Sequence, residues 1–424
     1  LIATGCPHPR HACETSIDRL TIAATLPNLA AVRRPPDGRH TARCRCAISS
    51  YRRAPRGPAA RAPRGVRSEE TEMTTVRKFM ERHYLHFNSR EVVAAAKAYE
   101  KHIESGGKMM VTLAGAMSTA RIGRILGRLI RKGYVHAICC TGANLEEDVF
   151  NLLAANDYRI IEDYRGLRAE DEKKLYDQGY NRVTDTCIPE TIMRHLEKRL
   201  IKAWSKAADK GERKFESEFL FEVLSDKTLE KHFQIPKEDS WMYAAKEMGI
   251  PVYSPGWEDS TTGNMFAGAV WRGEVAHHQV VKSGTEQMDH LMRWYLDASG
   301  YNAAKAKAEK KSKKTDKKGK KERGGNLELS APSVGFFQIG GGIAGDFAIC
   351  AVPTMIQDLQ MEDVPFWGYF AQISDAVTSY GGYSGAVPNE KITWGKLDVH
   401  TPKFMIQSDA TIVAPLVFAY LLGD

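Results

Sequence analysis

Between residues 108 and 155 the chain twice runs from an apolar strand, through a loop of small residues, into an amphipathic helix. "KMMVTLAG" (108–115) leads to "STARIGRILGRLIRKG" (118–133), and "VHAICCTG" (135–142) leads to "NLEEDVFNLLAA" (144–155). Strands without polar alternation are buried on both faces, and a helix between them makes the connection a crossover. Such crossovers are right-handed and join parallel neighbours. The pattern returns in "IPVYSP" (250–255), "SVGFFQIGGGIAGDFAICAVPTMI" (333–356), "WGYFAQIS" (367–374) and "FMIQSDATIVAPLVFAYLL" (404–422). The expected fold is therefore α/β, a mostly parallel sheet flanked by helices in a single large domain. Further helices are expected at 89–104, with Ser89 as N-cap, across a helix-rich middle (189–249), and at 285–299.

Two segments stand outside this pattern. Residues 1–72 carry 13 arginines, no lysine and 6 acids, and Met73 opens the patterned sequence. They read as a disordered or wrongly assigned extension, or else as a transit-type segment, which is Arg-rich and acid-poor. Residues 305–323 carry 11 basic residues against 3 acids, so about 301–326 reads as a solvated insertion in a domain spanning 73–424. The total charge of +8 resides in these two stretches and the remainder is acidic. Net charge is thus no argument for nucleic acid, while an acidic body suits a cationic small substrate. No apolar run reaches the roughly 20 residues needed to span a bilayer, so no membrane partner is expected. Cys44 and Cys46 lack zinc spacing, which leaves reduced thiols in a cytoplasmic protein as the expectation and no metal.

Ligand sites in open α/β sheets gather beyond the carboxyl ends of the strands. Here those loops are "GAMS" (115–118), "TGANLEED" (141–148), "SPGWEDSTTGN" (254–264), "GGGIAGD" (340–346), "SDA" (374–376) and "SDA" (408–410). Gly340, Gly342 and Gly345 fit G-x-G-x-x-G after a strand, either as a dinucleotide cradle or as a tight-turn device. Asp346 falls in the first helical turn, where it is also a candidate cap. Glu146 and Glu147 open a helix, either as solvated partners of its dipole or as part of a carboxylate cluster that grips an ammonium group. Asp259, Asp375, Glu390 and Asp409 would complete that cluster if their loops meet. In "VPNEKITWGKLDVH" (387–400), Lys396 is either a plain strand-end lysine or a Schiff-base amine that Trp394 keeps dry, with Glu390 orienting a substrate amine.

Taken together, "TGANLEED", "SPGWEDSTTGNM", "GGG" after an apolar strand, "SGAVPNEKITWGKLD" and "SDATIVAPL" resemble, in this order, the blocks of deoxyhypusine synthases. The resemblance runs from about Arg77 to the C-terminus, broken by the lysine-rich insertion. It implies a Rossmann-like subunit in a homotetramer that uses NAD to oxidise spermidine. The butylimine passes to the enzyme's lysine and then to an acceptor amine, either a lysine of translation initiation factor 5A or a free diamine such as putrescine, giving homospermidine. Carried over by motif, Lys396 is the covalent residue, Trp394 a pocket wall and Glu390 an amine grip, with Glu146 and Glu147 in the cofactor and polyamine site. Ser118, Thr141, Gly142, Ala143, Asp259, Gly341, Asp375, Ala376, Asp409 and Ala410 match NAD-contacting positions. Four substrate-side positions depart from the family: Asp346 stands for a histidine, Asn264 for an aspartate, and Tyr380 and Tyr383 for two aspartates. The other expectation from the resemblance is a catalytically silent, NAD-binding paralogue that regulates a partner subunit.

Overall fold

The computed structural model describes residues 75–315, 327–378 and 381–424. The arginine-rich stretch 1–72, positions 316–326 of the lysine-rich segment and Tyr380 lie outside them. Strands among the described residues are, in chain order, β1 (Met109–Leu113), β2 (Ala137–Cys140), β3 (Arg159–Ile160), β4 (Tyr180–Val183), β5 (Thr186–Pro189), β6 (Val252–Tyr253), β7 (Gly335–Ile339), β8 (Tyr369–Ile373) and β9 (Lys403–Ile406). Six of them form one sheet in the order β6-β2-β1-β7-β8-β9, with every neighbouring pair parallel. Counted within that sheet alone the order is 3-2-1-4-5-6, the doubly wound arrangement in which the winding reverses between β1 and β7.

The unbroken apolar strands follow from this topology. β1, β7 and β8 are buried at every position because helices cover both faces. Met109, Val111 and Leu113 face a core shared with the helices Phe87–Glu104, Gly123–Arg131 and Ala410–Leu422. Met110, Phe336 and Phe370 face a second core with Leu291, Tyr295, Ala348 and Val352. The alternation of the pleat thus splits each apolar run between two cores.

Several helix boundaries differ from those the sequence suggests. Ser89 does not cap its helix, which starts at Phe87; its hydroxyl donates to the His86 carbonyl instead. The helix expected from Ser118 begins at Gly123, after a series of turns, because Ser118 points inward and bonds Asn144. A Cβ on Gly123 would lie 2.4 Å from Asp148 Oδ1, so only glycine lets the helix start there. The small antiparallel sheet β3-β5-β4 is an addition to the sequence reading. Its strands have two to four residues, too few to show a period. The lysine-rich segment begins as the helix Tyr301–Thr315. Among the described residues no helix is long and apolar enough to cross a membrane.

Candidate active site

All six small-residue loops emerge at the carboxyl ends of the parallel strands, and backbone bonds tie together the starts of the five that follow β1, β2, β7, β8 and β9. Ala114 N–H donates to the Ile339 carbonyl (3.0 Å), Thr141 to Leu113 (3.1 Å), Gly340 to Ile373 (2.8 Å) and Ser374 to Ile406 (3.0 Å). Gly340 sits where the winding reverses, with φ +74°; a Cβ there would come within 2.9 Å of Ala114 Cβ. Gly345, the last glycine of the motif, faces Gln338 Oε1, which an added Cβ would approach to 2.7 Å. These are the turn and packing roles that the G-x-G-x-x-G spacing requires.

Open space remains over Gly115 and Gly342, both at positive φ with nothing within 4 Å of an added Cβ. Asp259, Asp375 and Asp409 are exposed in the neighbouring loops, and Thr141, Ala143, Ala376 and Ala410 are half-buried there. Gly341 is buried against Ser384, whose hydroxyl accepts from Gly342 N–H at 3.1 Å. Gly142 lets the 254–260 loop close over the second strand–helix unit, since a Cβ would meet Ser260 Cβ at 2.7 Å. Glycine clearance at the reversal point, with exposed carboxylates beside it, fits an extended dinucleotide. Asp409 also caps its own helix by accepting from Thr411 N–H at 2.7 Å. Ser118 is wholly buried, donating to the Asn144 carbonyl and accepting from Trp241 Nε1–H at 2.9 Å.

Glu146 and Glu147 are not solvated dipole partners. Their helix starts at Gly142, so neither lies in the first turn, and they are 3% and 7% exposed. Glu146 accepts from the backbone of Thr261 (2.9 Å) and Thr262 (2.6 Å), which fastens the N-terminus of the helix Thr261–Trp271 to the helix Gly142–Ala154. Burial pushes its carboxyl up against those bonds. Glu147 has one oxygen buried without a hydrogen-bond partner; burial, then the Glu146 charge, push it up to about 7. Glu147 and Asn264 line a cavity of about 460 Å³ with Arg194, Glu197 and Arg272. Asn264 donates to the carbonyls of Glu258 and Ser260 and so braces its own loop.

A second cluster forms at the ends of β7 and β8. Lys396 lies in the bend after the short helix Glu390–Thr393 and is 6% exposed. Its Nζ donates to Asp346 Oδ1 at 2.8 Å. Asp346 falls in the second turn of the helix Gly342–Ile349, so it pairs with the lysine rather than capping the helix. The amine lies 5.2 Å from the centre of the Tyr383 ring and 5.8 Å from that of Trp394. Tyr383 is the nearer wall, anchored by its hydroxyl donating to Gln338 Oε1 at 2.7 Å. Trp394 is 61% exposed, so one side of the lysine pocket opens to the surface. Glu390 is exposed at the start of its helix. The arrangement presents a desolvated amine, held by one carboxylate and two aromatic rings, next to the glycine loop.

A family model described as "Deoxyhypusine synthase" matches residues 78–299 and 297–421. The chain belongs to the deoxyhypusine synthase family. It is 28% identical over 356 residues to a "Deoxyhypusine synthase-like protein" of Nostoc punctiforme, covering 81% of this chain and 79% of that one. It is 25% identical over 336 residues to "Probable deoxyhypusine synthase 1" of Archaeoglobus fulgidus, covering 79% and 90%. A "Deoxyhypusine synthase-like protein" of Cyanothece is 27% identical over 336 residues, covering 77% and 73%.

The sequence reading omitted one residue of the lysine cluster, Lys391, whose ammonium lies 4.4 Å from the Tyr383 ring centre. Its only trace in the sequence is a second lysine five positions before Lys396, in a segment with no periodicity to mark it as buried.

Proposed function

We propose that this chain is an NAD-dependent aminobutyl transferase. It oxidises spermidine or a related polyamine, takes the butylamine group onto Lys396 as an imine with loss of 1,3-diaminopropane, and passes it to an acceptor amine. The acceptor is a lysine of translation initiation factor 5A or a free diamine such as putrescine. The observation that carries this reading is the Lys396 amine, 6% exposed and paired with Asp346 at 2.8 Å beside the glycine loop. A covalent lysine has to be withdrawn from water and still reach a substrate, and the open Trp394 side supplies the access.

NAD bound along the carboxyl edge would take up the hydride and later return it. Gly341, Thr141, Gly142, Ala143, Asp259, Asp375, Ala376, Asp409 and Ala410 are the residues that would hold it, with Ser118 supporting the first loop from below. Glu147, with its unpartnered oxygen, suits a substrate ammonium, which would draw its carboxyl back toward the charged form. Glu146 and Asn264 position that side of the site through their loop bonds. Tyr383, Trp394, Glu390 and Asp346 form the lysine side. In this reading the active unit is a cytoplasmic homotetramer.

Release of 1,3-diaminopropane from spermidine, followed by chromatography with and without NAD, tests the reaction. Dependence of release on NAD and on Lys396 is expected; release from a Lys396→Ala variant at the parent rate would remove the covalent step. Adding putrescine or the purified factor then assigns the acceptor, by homospermidine in the first case and by a mass increase of the factor in the second.

A further inference from the structure

Lys391 has no part in the reaction as described above. It lies on the four-residue helix Glu390–Thr393, is 2% exposed, and its amine has no hydrogen-bond partner. Its Nζ rests 5.1 Å from the ring centre of Phe370 on β8 and 4.4 Å from that of Tyr383. Lys396 Nζ lies over the same Tyr383 ring, and Lys396 N–H donates to the Lys391 carbonyl at 3.0 Å. Two buried amines thus share one aromatic wall, and the carboxylate of Asp346 pairs with Lys396.

A buried ammonium without a hydrogen bond is unfavourable, and an apolar side chain of similar length avoids the penalty. Such groups concentrate where a change of charge is used. Burial, then the Lys396 charge, bring the Lys391 amine down to about 8, against the opposing pull of Glu390 and Asp346. Its free base is therefore populated near neutral pH. Two neighbouring acids of the cluster keep their own protons. The Tyr383 phenol and the Cys350 thiol, which lies 3.6 Å from Asp346 Oδ1, are both pushed up by burial.

We propose that Lys391 accepts the proton Lys396 must lose before it attacks the oxidised donor, and later returns it to the departing amine; this rests on the imine chemistry proposed above. The Lys396 ammonium passes one proton to the Lys391 amine through one intervening water, since the two amines share the Tyr383 ring but no direct hydrogen bond. The freed Lys396 nitrogen adds to the iminium carbon of the donor, forming a C–N bond and a geminal diamine. A second proton moves from the Lys396 nitrogen to the nitrogen of the departing diamine, and that C–N bond breaks. Lys391 gives back its proton, so the diamine leaves as an ammonium and Lys396 retains the butylimine. The exchange conserves protons, charge and electrons. Lys391 exchanges protons with both reacting nitrogens and is, in this proposal, a proton-transfer residue of the reaction.

The test labels the whole chain with butyraldehyde and cyanoborohydride from pH 6 to 11, without NAD or polyamine, and reads alkylation at Lys396 by mass spectrometry. Lys391→Met is expected to label about 100-fold more slowly than the parent at pH 7.5, the lower end of what a positioned proton acceptor contributes. The two should converge above about pH 10.5, where a lysine amine deprotonates without help. Lys391→Arg keeps the charge without releasing a proton and should be as slow as Lys391→Met. Parent-like labelling of either variant at every pH overturns the proposal, as does a slow variant that stays slow at pH 11. A Lys391-dependent profile together with no Lys396 adduct from spermidine and NAD supports the proton role and rejects the aminobutyl reading.

Discussion

Replacing Asp346 with asparagine keeps the shape of the side chain and removes the only carboxylate that pairs with Lys396 among the described residues. At 2.8 Å, with an effective dielectric near 20, the attraction is about 6 kcal/mol. Most of it offsets the desolvation of an ammonium that is 6% exposed. Asp346 itself is about half exposed, so water screens the pair further. A net loss of about 1–3 kcal/mol is the expected outcome for Asp346→Asn, read as a lower urea midpoint at unchanged slope. Lys396→Met should be near neutral, because it removes the buried charge together with its need for a partner. The double variant should then resemble Lys396→Met alone, giving a coupling of about 1–3 kcal/mol. Additive single effects, or an Asp346→Asn variant as stable as the parent, would refute the pairing as the support of the lysine.

Glu147 supplies a pH test. Its folded-state value of about 7 lies above the ordinary 4.5, so the folded chain holds an extra proton between those limits. Stability therefore falls as pH rises through that window, by at most about 3 kcal/mol. Glu147→Gln should match the parent near pH 4 and exceed its stability at pH 8, in denaturant titrations at both pH values. Gly340→Ala places a side chain at φ +74° and 2.9 Å from Ala114 Cβ, and should lose about 2–4 kcal/mol and lower the thermal midpoint. Tyr383→Phe removes the bond to Gln338 Oε1, leaving that oxygen with no donor from Tyr383; a loss of about 1–2 kcal/mol in chemical unfolding is expected.

The sheet was legible in the sequence because its strands are buried on both faces. "MMVTL" and "GFFQI" are apolar or neutral at every position, and each runs straight into a glycine-rich loop. The strand order was not legible, since β1 and β7 are neighbours separated by more than 200 residues. Helix starts failed where a tertiary bond outweighed a local cap: Ser118 was drawn to Asn144 and Trp241, and the acids of "LEED" to buried partners and a cavity. Lys396 stood out by its neighbours Trp394 and Gly395, yet its carboxylate partner lies 50 residues earlier, beyond any spacing argument. Lys391 escaped because a lone lysine in a short polar segment carries no sequence sign of burial.

The central claim is that Lys396 carries the transferred group. The most direct measurement is to incubate the chain with spermidine and NAD, quench with borohydride, and map the modified peptide by mass spectrometry. The expected result is one aminobutyl group on Lys396 and none in Lys396→Ala. An adduct on another lysine, or diaminopropane released without any lysine adduct, would contradict the account.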